Sequence, residues 1–362
     1  MNDDFAAAMR QSLEQTRAGK PFEATRTIQA ALAGNAGSAV RQSPAQKPSL
    51  KQARPASPRW RLSKVISELS RKPPGLDAHS GRKAPAPAAP EGAIFERRHH
   101  AGHHGARDYF LFHPSNHDAP LRGVILMLHG CTQSPEDFAT GTRMNDHAER
   151  HGLIVVYPEQ VRSENVSLCW NWFRPGDRSR SGGEAALLAG LAATVAADHG
   201  VPSGSVFVAG LSAGGAMAAI LAQTHPEVFA AAGVHSGLAP GSANDVVSAF
   251  AAMRGDLAPG AEALNAPAIV FHGSADGTVA PLNAGHLAGR LEAAATRTGE
   301  ASGRRYDVLA ARNADGHPVE VWRIEGAGHA WSGGDTNGSY TDRMGPDASA
   351  EMVRFFLEQV QA

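Results

Sequence analysis

A chain of 362 residues, 42% hydrophobic and 19% charged, has the composition of a globular protein with room for one large core and additional segments. Its formal net charge of −1 excludes a general pull toward nucleic acid or anionic membrane, and no apolar run approaches the roughly 20 residues of a membrane span. Two cysteines, Cys131 and Cys169, are too few for a disulfide scaffold and make no zinc site alone; composition leaves them as free thiols or as one bridge.

The N-terminus, MNDDFAAAMRQ, is acidic and lacks the basic start and apolar stretch of a secretory signal, so nothing here shows export. Phe5, Met9 and Leu13 recur at the spacing of one helix face. Pro21 suits a second helix start, with Phe22, Ile28 and Leu32 as its apolar positions and Gly34 at its end. Residues 1–34 are therefore expected to form a helical hairpin whose apolar faces meet the main domain, a second copy or another surface. A weakly structured appendage fits the same pattern. Residues 35–92 are rich in Pro, Ala, Ser and Gln and poor in bulky apolar side chains, so they do not offset their ordering entropy and read as a largely disordered linker. Basic residues from Arg41 to Lys83 are opposed only by Glu68, Asp77 and Glu91. The segment reads as a solvated tether, with a short helix near WRLSKVISELSRK, or as a docking segment for an acidic or amphiphilic surface.

From residue 93 to 362 the pattern becomes strand and helix in alternation. DYFLFHP, GVILMLHG, LIVVYP, SVFVAG, FAAAGVHSG, PAIVFHGSAD and VEVWRIEGAGH read as strands. PEDFATGTRMNDHAERHG reads as one helix ended by Gly152. GGEAALLAGLAATVAADHG, AMAAILAQTHP and DASAEMVRFFLEQV read as further helices. Strands separated by helices imply an α/β domain, a mostly parallel sheet covered on both faces.

The strand SVFVAG runs into Gly210-Leu211-Ser212-Ala213-Gly214, a G-x-S-x-G between strand and helix. At such a turn the serine backbone is strained, and small neighbours let the chain pass. Ser212 is the candidate nucleophile. A serine hydroxyl needs a base, and the base needs an orienting acid. His329, in the glycine-rich IEGAGHAWSGG after a strand, is the candidate base; Asp276, in IVFHGSADGTV, is the candidate acid. Asp335 and Glu325 are rivals for the acid. The order Ser, Asp, His is the one an α/β-hydrolase requires. The oxyanion of a tetrahedral intermediate needs two amide donors. Ala213 follows the nucleophile, and Cys131, after GVILMLHG, is the candidate second, although HGCTQ also reads as a simple turn.

At these residues the chain resembles the esterase family of the polyhydroxybutyrate depolymerases. LHGCTQ, CWNWF, GLSAGGAM, HGSADGTV and GHAWSGG carry the resemblance, in order, across the hydrolase region. It implies an α/β-hydrolase fold, no cofactor, and attack on esters of short hydroxyacids, with feruloyl and acetylxylan esterases and poly(aspartate)-type hydrolases as neighbouring activities. It implies Ser212, Asp276 and His329 as the triad and a Cys131–Cys169 bridge near the oxyanion loop. It gives Trp170, Trp172 and Trp331 a place along the substrate groove, against a plain reading of core packing. It also implies secretion, against the cytoplasmic location that the N-terminus leaves open. Family members often have a signal peptide and a polymer-binding domain after the catalytic one, and neither is expected here. An inert polymer-binding scaffold is the reading from another class.

His99, His100, His103 and His104 cluster in HHAGHHGARDY without a carboxylate or thiol completing a zinc set nearby, and no phosphate-loop or dinucleotide fingerprint occurs. No metal is expected.

Overall fold

The computed structural model describes residues 90–360. The expected hairpin over 1–34 and nearly all of the expected linker lie outside the described residues. Strands β1 (Ile94–Gly102) and β2 (Gly105–His113) form an antiparallel hairpin. Then come β3 (Gly123–Leu128), helices α1 (Pro135–Thr142) and α2 (Met144–His151), β4 (Leu153–Pro158), a 3-10 turn (Pro175–Arg178) and α3 (Gly183–Asp198). They are followed by β5 (Val206–Leu211), α4 (Ala213–Thr224), β6 (Ala231–His235), α5 (Val246–Met253), β7 (Ala268–Gly273) and α6 (Leu282–Ala288). β8 (Leu291–Ala301), β9 (Arg304–Asn313), β10 (Pro318–Ile324), the short β11 (Trp331–Ser332) and β12 (Thr341–Asp342), and α7 (Ala348–Val360) complete the order.

Among the described residues ten strands form one sheet in the order β1-β2-β4-β3-β5-β6-β7-β10-β9-β8. The run β4-β3-β5-β6-β7-β10 is parallel, and antiparallel pairs flank it on both sides. β3, β4, β5 and β7 are buried along their whole lengths, which is why they read as unbroken apolar runs. Alternation still sorts their side chains. Val124, Leu126 and Val208 face the layer with Leu188, Met217 and Leu221, whereas Ile125, Met127 and Phe207 face the layer with Phe138, Met144 and Phe356. Phe207 stacks on Phe356 with ring centroids 4.8 Å apart. The core is thus two layers, one on each side of the sheet.

Two expectations are corrected. The helix expected from Pro135 to Gly152 is broken at Arg143, whose φ of 54° is left-handed. The loop after β10 presses on the break: a Cβ on Gly141 would lie 2.7 Å from Thr341 Cγ2, and Asp335 N donates to Gly141 O at 2.8 Å. The second correction is the hairpin β8–β9, which the sequence reading left without strands. Its residues LEAAATRTGEA and RRYDVLAARN are rich in alanine and charge; β8 is the edge strand of the sheet and β9 the strand beside it. Charge on an edge strand guards against further pairing, and it erases the apolar alternation that marks a strand.

Candidate active site

The parallel strands all end at one edge of the sheet, where ligand sites of open α/β folds lie. Ser212 sits on the sharp turn from β5 into α4, with φ 58° and ψ −118°. A non-glycine residue there carries strain of roughly 1–3 kcal/mol. What enforces it is close packing on both sides. A Cβ on Gly210 would lie 2.4 Å from Gly214 C, and one on Gly214 would lie 2.0 Å from Leu128 O. The first turn of α4 is thereby pressed against the end of β3, and Ser212 is left partly exposed at the end of the strand. Its amide donates to His235 O at 2.9 Å.

Four histidines stand at or just beyond the ends of parallel strands: His129 after β3, His235 ending β6, His272 in β7 and His329 after β10. The first three are buried. The His329 side chain keeps 12% exposure, and its Nδ1 lies 2.7 Å from Asp276 Oδ2. A carboxylate only accepts, so Nδ1 carries a proton, and the neutral tautomer that fits this bond has its lone pair on Nε2. The other carboxylate oxygen, Oδ1, accepts from the amides of Thr278 and Val279, both at 2.9 Å. Burial pushes the Asp276 carboxyl up, but hydrogen bonds from His272 and His329 outweigh it and hold the group well below the usual carboxylate range. The rival acids lie elsewhere. Asp335 Oδ1 accepts from Asn337 N, and Glu325 lines a polar cavity of about 330 Å³ with Ser274, Arg305, Asp307 and Arg323.

His272 and His235 were missed as site residues. His272 Nε2 lies 3.0 Å from Val279 O and 3.5 Å from Asp276 Oδ2, so it backs the acid. His235 Nε2 accepts from Ser332 N at 3.1 Å, and its ring stacks between Phe271 and Trp331. Burial, then the neighbouring His272 and His329, push its pKa down to about 3, so the ring stays neutral. The available signal was positional: each of these histidines lies at the end of an apolar strand.

After β3 the chain runs His129-Gly130-Cys131. Gly130 N donates to Gln133 Oε1 at 2.8 Å and Thr132 N to Ser167 O at 2.8 Å. The amides of Cys131 and Ala213 have no acceptor among the described residues. A disulfide joins Cys131 to Cys169. The three tryptophans do not present open walls. Trp170, Trp172 and Trp331 are buried; Trp170 Nε1 donates to His129 O at 3.1 Å and Trp331 Nε1 to Ser349 Oγ at 3.1 Å. Their burial gives Trp170 and Trp331 a part in fixing neighbouring segments, and Trp172 packs edge-on against Phe173. His99 pairs with Asp108, and among the described residues no three His, Cys, Asp or Glu side chains gather to hold a metal.

A family model described as "Esterase PHB depolymerase" matches residues 108–309, more than half of the chain. The chain belongs to that family. The chain is 34% identical over 238 residues to poly(3-hydroxyalkanoate) depolymerase C of Paucimonas lemoignei, covering 60% of this chain and 55% of that one. It is 28% identical over 195 residues to acetylxylan esterase A of Talaromyces purpureogenus, covering 48% of this chain and 50% of that one. The chain spans about half the length of these curated relatives. Among solved structures, acetyl xylan esterase from Aspergillus awamori matches with a TM-score of 0.52 at 22% identity, over 65% of this chain and 94% of that one. That likeness bears on the fold, an α/β-hydrolase. Among the described residues no helix is long and apolar enough to cross a membrane.

Proposed function

We propose that residues 93–362 form a serine esterase that hydrolyses esters of short hydroxyacids, with polyhydroxybutyrate or its oligomers as the substrate class. The observation that carries this is the Asp276–His329 pair at the same sheet edge as a serine on a strained strand-to-helix turn. Ser212 Oγ attacks the ester carbonyl while His329 Nε2 takes its proton. Asp276 holds the ring with Nε2 free and stabilises the imidazolium. Negative charge on the former carbonyl oxygen is met by the amides of Ala213 and Cys131. His329 then protonates the leaving alcohol. A water, deprotonated by the same nitrogen, attacks the acyl-enzyme and frees the acid and Ser212.

A hydrophobic polyester is supported by the surface beside the acid loop. Val246, Val247 and Phe250 of α5 are 55%, 80% and 42% exposed, with Leu257 and Leu282 also exposed. Ala280 N donates to Met253 O at 2.7 Å, which joins this apolar patch to the segment whose Val279 amide holds Asp276. Exposed apolar side chains clustered on one helix favour adsorption to an apolar partner. The second reading, an ester on a glycan, is favoured by the polar cavity next to the same loop, where Ser274, Thr298, Asp307 and Arg305 offer partners for sugar hydroxyls.

The test is release of soluble 3-hydroxybutyrate from amorphous polymer by the purified chain, with Ser212→Ala alongside. Release by the wild type alone is expected. Cleavage of acetylated xylan or a feruloyl ester, without release from the polymer, keeps the triad and replaces the substrate. An active Ser212→Ala refutes the mechanism.

A further inference from the structure

The buried carboxylate of Glu184 has no part in the steps above, yet it lies at the root of a hydrogen-bonded network that ends at the oxyanion loop. We infer that Glu184 is a positioning residue for the Cys131 amide, acting through Gln160, Asn171 and the Cys169 bridge. The inference rests on the reading of that amide as an oxyanion donor.

Glu184 stands in the first turn of α3 and is buried. Its two oxygens receive three N–H donors: Asn171 N at 2.6 Å, Asn171 Nδ2 at 2.8 Å, and Gln160 Nε2. Three donors on two oxygens suit a carboxylate, which only accepts. Gln160 is itself buried and reaches in several directions. Its Nε2 also donates to Cys169 O at 3.0 Å, its backbone amide donates to His129 Nε2 at 3.3 Å, and its Oε1 accepts from Arg107 Nη1 at 2.9 Å. Trp170 Nε1 donates to His129 O.

The consequence is a clamp on three successive residues. Cys169 is held at its carbonyl, Trp170 at its indole and Asn171 at both its amides, and the first of these is covalently tied to Cys131. His129, two residues before Cys131, is gripped from both of its polar sides, with Nδ1 turned to Gly130 O at 2.8 Å. Two of the loop's neighbours, Thr132 and Leu168, have left-handed φ values of 67° and 57°, so the loop does not take its shape from intrinsic preference. It is held there by its partners. A carboxylate is the side chain that serves all three donors together. In Glu184→Gln, whichever way the amide turns, at least one donor faces an NH₂ group.

Misplacing an oxyanion donor is felt in the transition state rather than in substrate binding. Kinetics on a small activated ester are therefore measured for Glu184→Gln and Trp170→Phe, with binding of an alkyl boronic acid as a mimic of the tetrahedral adduct and Tm as the record of folding. Glu184→Gln is expected to lower kcat about 10- to 100-fold with KM within about twofold, and to weaken the boronic acid in parallel. Trp170→Phe, which removes one donor and keeps the bulk, is expected to act in the same direction by less, and the two changes are expected to be non-additive. A fall in Tm with kcat and boronic acid affinity unchanged overturns the inference and leaves Glu184 a structural residue. Should Glu184→Gln fail to fold, unchanged kinetics in Trp170→Phe and Gln160→Leu overturn it equally. Ser212→Ala separates the two readings. Hydrolysis that survives Ser212→Ala overturns the Ser212 mechanism and this inference together, whereas loss in Ser212→Ala with Glu184→Gln unimpaired overturns the positioning alone.

Discussion

The backbone amide of Ser212 donates to the carbonyl of His235 across 2.9 Å, and the imidazole of the same His235 accepts from the amide of Ser332. One buried residue thereby ties the turn that carries Ser212 to the loop after His329, through its carbonyl on one side and its ring on the other. The ring link holds only in the neutral form, because a protonated Nε2 would meet the Ser332 N–H donor with another donor.

Stability is therefore expected to fall on the acid side. His235 and His129 have pKa values pushed down to about 3 and about 4, chiefly by burial, against about 6.5 in the unfolded chain. Above that value neither state is protonated and the full stability is present. Below it the unfolded chain takes up protons that the folded one refuses, so each group removes about 1.4 kcal/mol per pH unit until its folded value is reached. Denaturant unfolding between pH 7 and pH 4 measures the slope. His235→Gln, whose side chain does not titrate, is expected to flatten it, and an unchanged slope would show that His235 is not its source.

Asp276→Asn is expected to keep the fold and lower kcat about 10⁴-fold. An amide can still accept from Thr278 N and Val279 N through one oxygen, but it then turns an NH₂ toward His329 Nδ1 and favours the wrong tautomer. Steady-state kinetics together with Tm check both halves.

Gly214→Ala places a methyl 2.0 Å from the carbonyl oxygen of Leu128, which is backbone in a fully buried strand and has no room to give. The variant is expected to lose more than about 3 kcal/mol of stability or to accumulate as insoluble protein. Recovery of soluble variant with wild-type Tm would show that the elbow tolerates a wider turn.

The Cys131–Cys169 bridge closes a segment of 38 residues. Replacing both by serine is expected to lower stability by about 4 kcal/mol through the freedom returned to the unfolded chain, read by denaturant unfolding. The kcat of the double variant is also expected to fall, since the cross-link holds the loop that carries the Cys131 amide.

Val247→Ser with Phe250→Ser is expected to reduce adsorption to polymer films and leave hydrolysis of a small soluble ester within about twofold, because both side chains are exposed on α5. Equal loss on both substrates would place these residues in the folding of the site instead.

The parallel strands from β3 to β10 were legible because burial on both faces demands continuous apolar runs, and Gly210-Leu211-Ser212-Ala213-Gly214 was legible because close backbone packing demands small residues at fixed offsets. Chain order then put Asp276 and His329 in the loops after two such strands. The hairpin β8–β9 was not legible, since an exposed edge is stabilised by pairing and not by the apolar alternation that a sequence displays. Nor was the break at Arg143, which depends on a loop some 200 residues later in the chain pressing on Gly141. Which of the histidines keeps some exposure beside Asp276, and which glutamate is buried against Gln160 and Asn171, were decided by packing between segments distant in sequence. Local order records what a residue can do; the neighbours that the fold brings to it set its exposure, its charge and its partners.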